Sequence, residues 1–391
     1  MISNEMKKNI QGSSLIRAMF EEGNRLAKIY GRENVFDFSL GNPNVEPPQE
    51  IKKAIIDILN TETAMDVHGY MSNSGYSDVR GLVAQSINDK FGTAFTEKNI
   101  IMTVGAAGGL NVIFKTLMNP GDEVVVFAPY FGEYRAYTSN YQGTLVVVPP
   151  NTVDFQPNLE AFRERVTPKT KVVIVNSPNN PTGVVYSEET IIKLAEILKE
   201  KQKEYGTDIY LVSDEPYREL VYDNVKVPYL TKYYDNAIIG YSFSKSLSLP
   251  GERIGYLVIP SEAADFEDIV LGANIATRIL GFVNAPSLFQ RVVARCLNAS
   301  VDIDYYNGNR ELLYNSLVSY GYQCIKPEGA FYLFVKSPDP DDVAFCNLAK
   351  TKNILIVPGT AFGCPGYFRI AYCVARRTIE GALPGFKALV E

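Results

Sequence analysis

The runs EVVVFAPY, TLVVVPP, KVVIVNSP, DIYLVSDEPY, AIIGYSFS and GYLVIP recur through the middle of this chain, several of them apolar at nearly every position. A strand with one wet face alternates apolar and polar residues; a run that stays apolar must be covered on both faces. Between these runs the spacing becomes helical. Ser187 precedes Glu188 and Glu189, acids suited to a helix N-terminus, and Ile191, Leu194, Ala195 and Leu198 then recur on one helix face. Strands alternating with such helices predict an α/β architecture, a mainly parallel sheet with helices packed over it. With 391 residues the chain is too long for one ordinary core. We expect a large domain over 48–285, starting after Pro47 and Pro48 and ending before Pro286. From 286 the strands AFYLFV and FRIAY sit among helix-like stretches, which predicts a smaller α+β domain over 286–391.

Composition narrows the function. Hydrophobic residues make up 46% and charged residues 21%, the balance of a packed globular protein. A net charge of −6 argues against a nucleic-acid footprint, and Lys199, Lys201 and Lys203 read as a solvated helix face. The five cysteines never form a CxxC pair and His68 is the single histidine, so no metal site is expected. The opening MISNEMKKNIQGSSLIR lacks the apolar core of a signal peptide, and no run reaches about 18 apolar residues. A reduced, cytoplasmic protein without membrane segments is expected.

Residues able to do chemistry collect just past the apolar runs, where open α/β sheets place their ligands. Tyr130 and Phe131 follow one run, Asn180 another, Asp214 a third and Lys245 a fourth. Lys245 lies in SFSKSLSLPGERIG, with Ser242 and Ser244 as hydroxyl donors and Arg253 as a fork suited to phosphate. A Schiff-base lysine beside an anion site suits a ligand with an aldehyde and a phosphate, and pyridoxal phosphate has both. In TVGAAGGLNVIF, the small residues Gly105, Ala106 and Ala107 open a predicted helix whose free amides would take the phosphate. This stretch is neither GxGxxG nor GxxxxGK[ST], which weighs against dinucleotide or nucleoside triphosphate binding.

In that order, VNSPNNPTGVV, LVSDEPYREL and SFSKSLSLPGERIG resemble the class I and II aminotransferases, pyridoxal phosphate enzymes of fold type I, over a span from about Gly41 to Arg369. The resemblance implies a seven-stranded type of sheet and a first 47 residues packed on the small domain. It implies that Asp214 holds a proton at the cofactor ring nitrogen, that Tyr217 and Asn180 donate to the ring oxygen, and that Phe131 stacks on the ring. Arg369, in YFRIAY, would grip the substrate carboxylate beside Asn180 and the backbone of Gly41. Tyr70, in HGYMSNSGY, would reach the phosphate of a neighbouring subunit, making the enzyme a homodimer with shared sites. Lys245 would first hold the cofactor and then move the proton as an α-amino acid and a 2-oxo acid exchange an amino group. Glu215 should point elsewhere, and His68 should be structural.

Two other outcomes keep the scaffold: a carbon–sulfur β-lyase using the same cofactor, and a non-catalytic amino-acid-sensing module. The latter needs a DNA-binding domain ahead of the fold, and the residues before 48 show no helix-turn-helix pattern. Some relatives that accept dicarboxylic acids have a lysine where this chain has Ala107. Arg17, Lys115 and Arg278 remain unranked candidates for a distal carboxylate.

Overall fold

The computed structural model describes residues 2, 3, 6, 7, 10 and 15–391; the side chains of 15–18 and 20 lie outside that description, and with them the Arg17 candidate. The chain builds a central sheet from β1 (Ile100–Thr103), β2 (Glu123–Phe127), β3 (Thr144–Val148), β4 (Thr170–Asn176), β5 (Tyr210–Asp214), β6 (Ala237–Ser242) and β7 (Gly255–Val258). The spatial order of this seven-stranded sheet is β1-β7-β6-β5-β4-β2-β3. Neighbours from β6 across to β3 run parallel, whereas β7 is antiparallel to both β6 and β1. The expectation of a mainly parallel sheet holds. The strand absent from the sequence reading is β1, the four-residue run IIMT, as short as β7.

The uninterrupted apolar runs have a direct cause. In β4, Val173 and Val175 enter the core on one face while Val172 and Ile174 enter the core on the other. In β2, Val125 and Phe127 oppose Val124 and Val126 in the same way. Each side chain removed from water contributes roughly 1.5–3 kcal/mol, so both faces require helical cover. One covering helix, Glu188–Tyr205, links β4 to β5. The Ser187 hydroxyl accepts from the Thr190 amide at its start, and Gly206 closes its end with φ 66°.

A separate core surrounds the strands Tyr332–Lys336, Val357–Pro358 and Tyr367–Ala371, which pair antiparallel. The helices Ile303–Ser319, Asp342–Lys350 and Arg376–Ala388 pack on it, with Phe331, Tyr306 and Phe386 inside. Phe36–Asp37 pairs in parallel with Ile354–Leu355, and Phe38 is buried in this second core. Tyr217, Leu220 and Tyr222, which follow β5, belong to it as well. The segment just past the central sheet is thereby tied to the second core.

In the central sheet the chain steps one way through β4, β5 and β6 and the opposite way from β2 to β3. A reversal of this kind leaves a crevice beyond the carboxyl ends of the strands. That crevice holds the site.

Candidate active site

A pocket of about 250 Å³ opens there. Its lining includes Gly41, Ala106, Ala107, Phe131, Asn180, Asp214, Tyr217, Ser242, Ser244, Lys245, Arg253 and Arg369, residues drawn from across the sequence. Gly105 sits just behind: a Cβ on it would lie 2.7 Å from the Arg253 Nη2. Tyr70 is the exception, 94% exposed and absent from the lining. His68 ends a short helix, exposed and outside the pocket. Neither Lys115 nor Arg278 reaches the lining.

Lys245 lies in the helical turn Phe243–Ser246 directly after β6, opened by Ser242, whose hydroxyl accepts from the Ser244 amide. Its Nζ donates to the Gly41 carbonyl at 2.6 Å and lies 5.4 Å from the Phe331 ring centre. Burial pushes the amine down to about 8, with Arg253 and Arg369 adding to the effect and Cys373 opposing it. Arg253 has φ 52° and donates through Nη1 to the Pro250 carbonyl at 2.9 Å and to the Ser244 hydroxyl at 3.4 Å. Its guanidinium faces the first turn of the helix Gly105–Leu117 across Gly105, which has φ 66°. A cation and a helix N-terminus thus share one small-residue cradle.

Asp214, the last residue of β5, is buried. Its Oδ2 accepts from the Tyr134 hydroxyl at 2.6 Å, while its Oδ1 has no hydrogen-bond partner. Burial raises its carboxyl to about 6; the Tyr134 hydrogen bond opposes that and Glu215 adds to it. As expected, Glu215 turns away and binds Ser213 and the Arg218 guanidinium. Tyr217 shares a hydrogen bond of 2.7 Å with the Tyr332 hydroxyl. Arg369 is buried, donating to Asn180 Oδ1 at 3.0 Å and to the Ser39 carbonyl at 2.5 Å, with Nε unpartnered. The acceptor end of the Asn180 amide is therefore occupied, leaving its NH2 end as a donor.

Sequence reading missed Tyr134, Tyr137, Asn176 and Tyr332. Asn176 donates to the Asp214 carbonyl at 2.8 Å and accepts from the Asn180 amide at 2.7 Å, lashing the ends of β4 and β5 together. The available signal was its place as the one polar residue ending the run KVVIVN. Nothing local distinguished Tyr134, Tyr137 or Tyr332 among 25 tyrosines.

An α/β sheet with a lysine, an arginine-backed helix N-terminus and a buried acid at its strand ends defines a cofactor-dependent enzyme of the pyridoxal phosphate type. A model of the aminotransferase class I and II family matches residues 33–384, and the chain belongs to that family. An aspartate aminotransferase of Thermotoga maritima is 30% identical over 91% of this chain and 92% of its own length. A probable aspartate aminotransferase of Methanocaldococcus jannaschii is 31% identical with both chains fully covered. Among solved structures, an aminotransferase from Eubacterium rectale superposes with TM-score 0.96 and 46% identity, covering 100% of this chain and 98% of the other. This chain is accordingly a transaminase that uses an amino acid and a 2-oxo acid, and the β-lyase and sensing alternatives are not favoured.

Enzymes of this family use pyridoxal 5′-phosphate. The residues present fit it: the buried, unpartnered Asp214 Oδ1 awaits a donor, and the cradle at Gly105 excludes a side chain. Among the described residues, no helix is long and apolar enough to cross a membrane, and no group of His, Cys, Asp or Glu is placed to hold a metal ion.

Proposed function

We propose that Lys245 is the catalytic lysine of this aminotransferase and that the pocket residues divide the work as follows. Bound pyridoxal 5′-phosphate supplies an electron sink for the charge left at the substrate α-carbon. Arg253, Ser242, Ser244 and the amides of Gly105, Ala106 and Ala107 hold the phosphate. Asp214 Oδ1 keeps a proton at the ring nitrogen, Tyr217 and Asn180 donate to the ring oxygen, and Phe131 packs on the ring face. Arg369 receives the substrate α-carboxylate beside Asn180 and the Gly41 backbone. Lys245 Nζ would hold the cofactor through its aldehyde and, when free, would serve as the base that takes the proton from the substrate α-carbon. The depressed proton affinity of its amine suits both tasks.

The observation that carries this reading is the convergence of Lys245, the unpartnered Asp214 Oδ1 and the Arg369 guanidinium on one pocket. Borohydride reduction of the yellow holoenzyme followed by peptide mapping is the test. The label is expected on Lys245, and its appearance on another lysine would overturn the assignment. Assay of cystathionine without a 2-oxo acid acceptor is expected to release no pyruvate or ammonia.

In the same reading the large domain is 48–285, with 1–47 and 286–391 forming the small one, and the enzyme works in the cytoplasm as a homodimer. Tyr70 at 94% exposure, Met65 at 80%, and the apolar stripe Leu271, Ile275 and Ile279 on the helix Phe266–Ile279 support a second copy as partner. A mixed dimer of Lys245→Ala with Tyr70→Phe should recover one intact site. Its failure to do so, with Tyr70→Phe homodimers impaired, would remove the shared-site arrangement.

A further inference from the structure

Tyr134 was not legible in the sequence as a site residue, yet it touches two residues that face the pocket. It lies in the helix Glu133–Asn140 and is almost fully buried, with 1% of its surface exposed. Its hydroxyl donates to Asp214 Oδ2 at 2.6 Å. Its ring meets Phe131 edge to face, with centroids 5.6 Å apart and planes at 85°. The Thr138 hydroxyl donates to the Tyr134 carbonyl at 2.8 Å and fixes the turn that carries it.

We propose that Tyr134 is a positioning residue of the reaction, one that holds the Asp214 carboxylate with Oδ1 turned to the pocket and keeps it ionised against the cofactor ring nitrogen. The inference rests on the role given to Asp214 above. A carboxylate with both oxygens unpaired in an apolar wall would be free to rotate and would bind a proton more tightly. A phenol donating to one oxygen removes both freedoms. The shared proton then resides on the nitrogen rather than on the acid, which is where an electron sink needs it.

Other titratable groups around the carboxylate do not substitute for this contact. Glu215 follows Asp214 directly and pushes its proton affinity up, the opposite effect. Tyr137, from the same helix as Tyr134, and Tyr217, beyond β5, feel the charge of Asp214 but give it no hydrogen bond. Tyr134 is the one side chain among the described residues that hydrogen-bonds the carboxyl group of Asp214.

The test follows the ring-nitrogen resonance of holoenzyme loaded with 15N-labelled pyridoxal 5′-phosphate, across pH, for wild type, Tyr134→Phe, Tyr134→His and Asp214→Ala. Tyr134→Phe keeps the ring contact with Phe131 and deletes only the hydroxyl. Its resonance is expected to move toward the unprotonated position, with kcat down on the order of tenfold and KM nearly unchanged, the effect of losing one hydrogen bond to a charged group. Tyr134→His restores a donor and is expected to return the resonance toward wild type.

A Tyr134→Phe resonance superimposable on wild type throughout, whatever the change in kcat, would overturn the proposal. So would a histidine variant no nearer to wild type than the phenylalanine one. Should Asp214→Ala itself leave the resonance in place, the fault lies in the role given to Asp214. That outcome is distinct from one in which Asp214→Ala moves the signal and Tyr134→Phe does not.

Discussion

With Lys245 as the attacking amine proposed above, its depressed proton affinity would set how fast the cofactor-free enzyme captures its cofactor, because only the neutral amine attacks an aldehyde. At its ordinary value of 10.5 a lysine is about 0.1% neutral at a pH near 7.5; at about 8 it is roughly one quarter neutral. Burial therefore raises the reactive fraction on the order of two-hundredfold at neutral pH. Mixing cofactor-free protein with excess pyridoxal 5′-phosphate in a stopped-flow spectrometer should give a capture rate that climbs with pH and levels off above a midpoint near 8. The same shift has a sign in stability. Between about 8 and 10.5 the unfolded chain still holds a proton that the folded chain has released, so this group stabilises the fold increasingly as pH rises through that window, and not below it. The full amplitude is on the order of 3 kcal/mol, and the difference between wild type and Lys245→Ala across pH isolates it from the tyrosines. A capture rate still rising steeply past pH 10 would refute the argument, since it would mean that the amine titrates as a solvated lysine.

Gly105→Ala places a Cβ 2.7 Å from the Arg253 Nη2 at a φ of 66°, so the helix N-terminus and the guanidinium must separate; cofactor affinity measured by equilibrium dialysis should fall tenfold or more, from strain of about 1–2 kcal/mol plus the displaced cation. Arg369→Lys keeps the charge but loses the fork, and should raise KM for the amino donor roughly 10- to 100-fold with a smaller change in kcat, read in steady-state kinetics. Arg310, 1% exposed, donates to the Pro327 carbonyl at 2.7 Å, pairs with Asp223 and stacks on Tyr222; Arg310→Leu should cost about 2–4 kcal/mol in urea unfolding with the holoenzyme spectrum unchanged.

What was legible in the sequence was what depends on local order along the chain. Strand runs covered on both faces announce themselves by uninterrupted apolarity, and the residues just past them fall in the crevice because parallel strands end on one side. Asp214, Asn180 and Lys245 were readable for that reason. Tyr332 was not: it sits in AFYLFV as one aromatic among several, and only the folding of the second core against the segment after β5 sets its hydroxyl on Tyr217. Tyr134 is 80 positions from Asp214 in the chain, and their contact exists because β2 and β5 flank β4 in the sheet. The strand β1 escaped notice because only Ile100, Ile101 and Met102 are apolar before Thr103 and the small-residue turn, whereas the equally short β7 lies in a run that stays apolar through Ile259 and stops at Pro260.

The segment from Ser39 to Gly41 holds both central cations through main-chain oxygens: the Ser39 carbonyl takes Arg369 and the Gly41 carbonyl takes Lys245. A carbonyl is the same on every residue, so these contacts are indifferent to spelling and sensitive to path. Identity is therefore free at Leu40 but not at Ser39, which is buried with its hydroxyl donating to Asp37, nor at Gly41, where a side chain would strike the Tyr332 hydroxyl. Inserting or deleting a single residue between Phe38 and Gly41 would slide one carbonyl or the other out of reach. At Leu40 the segment should tolerate a change of letter far better than a change of length.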